Sequence, residues 1–274
     1  DVSLSNIKLL EKGVECKINE LNFFEKSGFQ LDGFSSNFRI SPKGIVAKQL
    51  KIKTPYSNID GNINFATQNY ASLPNFIEEV KINSLFNPSQ LDFRDICFFS
   101  PALNCFRKSL HFDGKIKGKI NNLKGRELSI LLDDGTLFKG NVDITGLPNP
   151  EEMFMYIKAK KLTTTKEKIE AFPLYPFVEE TFITLPDNFK HLGNIEFKGN
   201  FTGFYHDFVV YGQLKTVLGN LTTDVSLKLN DDAPHYNGKI MMDNFDLVHL
   251  LEMKNDLGRI SMNVDVDGEG FAKE

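Results

Sequence analysis

The sequence predicts a mainly β protein, an elongated and curled antiparallel sheet with a few short helices. Three observations carry that prediction. Apolar and polar residues alternate with period two over long stretches, a glycine-containing pattern recurs along the chain, and turn residues separate the runs. Alternation puts one face of a strand in an apolar environment and the other in water, which is the pattern of an antiparallel sheet with one wet face.

Along the chain, Val14, Cys16 and Ile18 alternate with Glu15 and Lys17. Ser41-Pro-Lys-Gly44 reads as a turn between Phe38-Arg-Ile40 and a strand ending near Ile52. Ser72 to Val80 reads as a short helix, with Pro74 early and Phe76, Ile77 and Val80 on one stripe. Asp133-Asp134-Gly135 separates Leu128–Leu132 from Thr136–Phe138, a hairpin signal. Lys166 to Glu180 has mixed helical character broken by Pro173 and Pro176. Leu221, Thr223, Val225, Leu227 and Leu229 face one way, and Thr222, Asp224, Ser226 and Lys228 the other. Asp231-Asp-Ala-Pro234 marks the next turn, Phe245 to Met253 a short amphipathic helix, and Ile260, Met262, Val264 and Val266 a last alternating strand. Helices this short are marginal alone and are expected to cap an open apolar edge of the sheet.

The recurring pattern is clearest in Leu110-His-Phe-Asp-Gly-Lys-Ile-Lys-Gly-Lys-Ile120 and Ile195-Glu-Phe-Lys-Gly-Asn-Phe-Thr-Gly203. Fainter copies begin at Ile59, Phe138, Tyr236 and Val264. In each a glycine shares the strand face with large apolar residues, which marks a bend, a bulge or close approach of another backbone. Repetition suggests a sheet curled around its apolar face, each copy being one or two strands of an array. The chain is read as one continuous segment, 1–274, with a sub-boundary near 100–110 that separates 1–105 from 106–274.

Composition narrows the function classes. At 41% hydrophobic and 25% charged residues the 274-residue chain is not a disordered one. Both charge signs are interspersed and the net charge is −4, which argues against a nucleic-acid groove and its basic excess. The 25 Phe, with no Trp, supply the aromatic surface. Cys16, Cys97 and Cys105 read first as small buried residues; if a bridge exists, Cys97–Cys105 is the local candidate. No signal peptide is visible, and the longest apolar stretch, around Ile96 to Phe106, is too short and too interrupted to span a bilayer. The ends read as cuts through a longer protein.

A search for chemistry finds no nucleophile elbow, phosphate-binding glycine loop or zinc-protease motif. His111, His191, His206, His235 and His249 are dispersed. Asp265-Val-Asp-Gly-Glu269 lacks the frame of a calcium loop, and Asp133 and Asp134 suit a turn for backbone reasons. No enzyme activity, cofactor or metal is expected. The physical expectation instead comes from shape: an apolar face curled by glycines must close on its own core, or hold acyl chains or an unfolded strand. At roughly 4.8 Å per strand, about 15 to 20 strands would make a conduit rather than a pocket. The inner-face positions that periodicity assigns to this groove are Phe112, Ile116, Phe197, Phe201, Leu221, Val225 and Leu227.

Phe23-Phe-Glu-Lys-Ser-Gly-Phe29, Leu50 to Gly61, Gly140 to Pro148, Leu192 to Gly203 and, above all, Tyr211-Gly-Gln-Leu-Lys-Thr-Val-Leu-Gly-Asn-Leu-Thr-Thr-Asp224 resemble the Bacteroidota form of the TamB translocation-and-assembly family, among the AsmA-like proteins. That resemblance implies a β-taco, a hydrophobic groove crossing the periplasm in a protein anchored in the inner membrane. It implies phospholipid acyl chains as cargo, transport toward the outer membrane, and no catalytic residues. It also implies an outer-membrane β-barrel assembly protein as a partner through parts outside this segment. A scaffold for barrel assembly that binds strands at an open sheet edge is the alternative. A surface adhesin or carbohydrate-binding module would be expected to show exposed aromatic platforms.

Overall fold

The computed structural model describes residues 1–98, 108–172, 183–229, 233–254 and 258–270. The chain is mainly β, and its 15 strands form one antiparallel sheet in sequence order, with β1 and β15 at the edges. Several strands find their partners through short connections, as at Ser41↔Gly44, where only Pro42 and Lys43 lie between the paired residues. Gly44 has φ 126°, a conformation that side chains resist, and a Cβ there would meet the Phe65 carbonyl.

Two compact units divide the chain. One comprises Asp1–Asp133 with Asp143–Asn149, the other Asp134–Val142 with Pro150–Glu274. The first holds β1 (Val2–Leu10), β2 (Gly13–Phe24), β3 (Gln30–Ser41), β4 (Gly44–Lys53), β5 (Asn58–Ala66), β6 (Lys81–Asp92), β7 (Ser109–Lys119) and β8 (Asn122–Leu132). Most of β9 (Leu137–Thr145) lies in the second, with β10 (Phe154–Thr164), β11 (Ile195–Gly203), β12 (Asp207–Thr216), β13 (Gly219–Lys228), β14 (His235–Phe245) and β15 (Ile260–Glu269).

Each glycine-bearing copy of the sequence pattern occupies a single strand: β5, β7, β9, β11, β14 and β15. Strands next to the first four of these behave differently. β4, β6, β8 and β10 each carry an extra residue relative to a neighbour: Ala47 and Leu50 oppose Ile63 and Gly61, Phe86 and Ser89 oppose Gly114 and Phe112, Arg126 and Ser129 oppose Lys115 and Asp113, and Ala159 and Leu162 oppose Gly199 and Phe197. These are β-bulges, which bend a strand and increase its twist. Gln49 and Glu127, at two of them, hold φ near +50°. β5, β7 and β11, by contrast, are regular, glycine-bearing strands beside these bulged ones.

The helices are shorter than the periodicity suggested. Ser72–Val80 contains only the one-turn α1 (Phe76–Glu79), preceded by a 3-10 turn at Tyr70–Ser72. Phe245 ends β14, and α4 is Leu247–Leu250. α3 spans Lys166–Glu170, with the Thr165 hydroxyl accepting from the Lys168 N–H; the remainder of that expected helix, like the Asp231-Asp232 turn and the Cys97–Cys105 pair, lies wholly or partly outside the described residues. α2 (Phe93–Cys97) was not legible from period alone.

Those helices do cap apolar ends. In the second unit, α4, Ile169 of α3 and the 3-10 segment Asp187–Leu192 gather Leu192, Leu218, Ile195 and the fully buried Phe245 into a core that also touches Leu214, Leu221 and Met242. In the first, the Phe76 ring packs edge-on to Phe65 at 5.1 Å, beside fully buried Val80.

Candidate functional site

The apolar face of the second unit is assembled by register. Directly opposed residues of an antiparallel pair lie on the same face. Phe197 opposes Leu214, which opposes Leu221, then Met242, then Met262. Phe201 opposes Ile157 on one side and Val210 on the other, and the row continues through Val225, Gly238 and Val266. Leu227 lies between Phe208 and Tyr236. The periodicity-assigned Phe197, Phe201, Leu221, Val225 and Leu227 thus share one face in three transverse rows. The reverse face carries Lys198, Asn200, Gln213, Asp224, Lys239 and Asp265 at the intervening positions.

Glycines let large side chains lie flat on that face. Gly199 and Gly212 are cross-strand partners, and the Phe197 ring lies over both: a Cβ on either would come within 2.6–2.7 Å of it. Such a Cβ would also meet the Tyr211 or Lys198 carbonyl. The Phe138 ring covers Gly140 in the same way, and the Tyr236 ring covers Gly268. A ring laid on a glycine shields its backbone while keeping the surface low. Phe201 and Phe208 stack with ring centres 4.6 Å apart.

Among the described residues, the buried apolar cluster of this face lies at its cap end. Phe197, Phe201, Leu221 and Leu227 are half-buried, and Val225, at the centre of the rows, is the most protected at 8%. A side chain on a sheet sandwiched between two layers would be fully enclosed.

In the first unit, Phe112 and Ile116 lie on the regular strand β7 and share a face with Leu110, Gly114 and Gly118. Phe112 opposes Ile130 and meets the Phe86 ring at 5.3 Å, and Ile116 opposes Ser84 and Gly125. Ser84 is buried, and its hydroxyl has no hydrogen-bond partner. Elsewhere on this face Leu50 is 2% exposed, whereas Leu9 at the β1 edge, opposite Val14, is 83% exposed.

The remaining polar groups form structural links. Asp134 accepts from the Thr136 N–H and Asp133 from the Ser109 N–H, so both carboxylates serve the backbone. Buried Asp95 accepts from the Thr54 and Ser57 hydroxyls. Asp92 grips Arg94 through two side-chain bonds of 2.8 Å, and Arg94 lies 3.8 Å over the Tyr56 ring. That bond holds the Asp92 carboxyl below the usual range; Arg126 does the same for Asp143. One pairing is invisible in the sequence: His191 and His249, distant along the chain, meet edge to face at 4.7 Å, and His191 bonds Glu252 at 2.9 Å, lowering its carboxyl. Among the described residues no three His, Cys, Asp or Glu are placed to hold a metal ion.

Comparison with known protein families, curated proteins and solved structures returns no match.

Proposed function

We propose that this chain is a non-catalytic segment of a lipid-transport protein, in which the apolar sheet face holds phospholipid acyl chains. The observation that carries this reading is the aligned, largely half-buried apolar face of the second unit, whose buried cluster among the described residues lies at its capped end. Each methylene moved from water onto such a surface contributes roughly 0.8 kcal/mol when fully buried, so a long acyl chain is a suitable occupant. The resemblance of Tyr211–Asp224 to the TamB family supports the same reading. That resemblance implies a periplasmic segment of a protein anchored in the inner membrane of a double-membrane bacterium.

A strand-assembly scaffold is the second reading: among the described residues β15 stands at a sheet edge, and an edge strand offers backbone groups to an added strand. A photo-reactive residue placed in turn at Phe201 and at Thr202 separates the two, because neighbouring strand positions point to opposite faces. Lipid adducts at 201 and none at 202 are expected. Adducts to polypeptide at β15, with none to lipid at 201, would replace the transport reading with the scaffold.

A further inference from the structure

On the polar face of the first unit, bulges fall in line. The extra residues of β2 near Asn19, of β4 near Gln49 and of β6 near Asn87 occur at neighbouring levels of the sheet. They border a depression of about 570 Å³ that crosses five strands, β2 to β6. At 4.8 Å per strand the crossing is about 19 Å, the dimension of an extended oligomer rather than a single small metabolite.

The lining is unusually rich in amides. Asn37 donates to Gln49 Oε1 at 2.7 Å, the Gln49 N–H donates to Asn62 Oδ1 at 3.0 Å, and Asn87 donates to Asp60 Oδ1 at 2.6 Å. Each of these amides commits one end to the protein. The Gln49 and Asn62 amide nitrogens are left as donors, and the Asn37 and Asn87 oxygens as acceptors. Mixed donors and acceptors across one surface match hydroxyl groups, which do both. Lys17 and Lys51 also line the depression, and neither forms an ion pair among the described residues. Arg39, Lys48 and Lys53 share this face with Lys17 and Lys51, opposed by Glu15, Glu20 and by Asp60, which pairs across from Lys51, although the chain as a whole is net negative at −4. No aromatic ring lines the crease, so recognition there rests on hydrogen bonds and charge rather than stacking.

We infer that this crease binds an acidic oligosaccharide laid across β2–β6, its hydroxyls on the amides and its carboxylates on Lys17 and Lys51. The site is on the opposite sheet face from the apolar one and does not depend on the transport reading.

The test is calorimetric titration of the chain with an α-1,4-linked galacturonate tetramer, with maltotetraose as the neutral control and anionic phosphatidylglycerol vesicles as the membrane control. The expected result is binding of the galacturonate alone. It should weaken as salt rises, and fall at least tenfold in Lys17→Gln/Lys51→Gln with an unchanged thermal midpoint. Absence of galacturonate binding, equal binding of maltotetraose, binding to vesicles alone, or full binding by the double variant would each overturn the assignment. Should the double variant misfold, Asn37→Ala, which alters an exposed side chain, carries the same expectation of weakened binding.

Discussion

At Gly199 the reason for a residue is steric. Its position faces Gly212 and lies under the Phe197 ring, so a methyl group meets carbonyl oxygen, backbone and ring together. Gly199→Ala is expected to destabilise the second unit by about 1–3 kcal/mol, the usual range for overpacking, read by urea denaturation. An unchanged midpoint would mean that the ring does not lie on the glycine. Ser84 makes the opposite case: its buried hydroxyl is unpartnered on an apolar surface. Removing a hydroxyl that bonds nothing relieves a desolvation cost of about 1–3 kcal/mol, so Ser84→Ala should keep or raise the thermal midpoint. A marked fall would reveal a partner for that hydroxyl.

Among the elements, α2 shows how a short helix is held. Asp92 accepts the Arg94 N–H at its start and clasps the Arg94 side chain. Because Arg94 lowers the Asp92 carboxyl relative to an unfolded aspartate near 3.9, the bond's stabilisation is fully present above about pH 4. It is lost as pH falls through the lower, folded value. Asp143 with Arg126 has the same sign. Stability measured by denaturant should therefore be insensitive to these pairs between pH 5 and 7 and decline below about pH 4. Asp92→Asn should make that decline shallower, and an identical slope in the variant would remove Asp92 from the account. The bulged strands are the other lesson at this scale. Where the strand is regular, period two holds, and Phe112 with Ile116, and Phe197 with Phe201, each share a strand face. On β6 and β10 parity breaks: Phe86 and Ser89, or Ala159 and Leu162, share a face three residues apart. No local residue signal marks that shift, because a bulge is set by the partner strand.

For the whole molecule, the proposed groove makes a direct prediction about cargo. Purified chain should carry phospholipid detectable by mass spectrometry, in excess over an unrelated β protein of similar size. A folded sample free of lipid would favour a closed core or the strand scaffold.

Alternation and turn chemistry were sufficient for the mainly β, antiparallel architecture, since a strand's two faces are written in consecutive residues. The recurring glycines likewise marked single strands and the face on which large side chains lie. Only the tertiary structure decided which strands bulge, how the short helices close one end of the apolar face, that His191 meets His249, and that amides from separate strands line one crease. Those features depend on contacts between residues far apart in the chain, whose geometry comes from pairing and packing and has no period in the sequence.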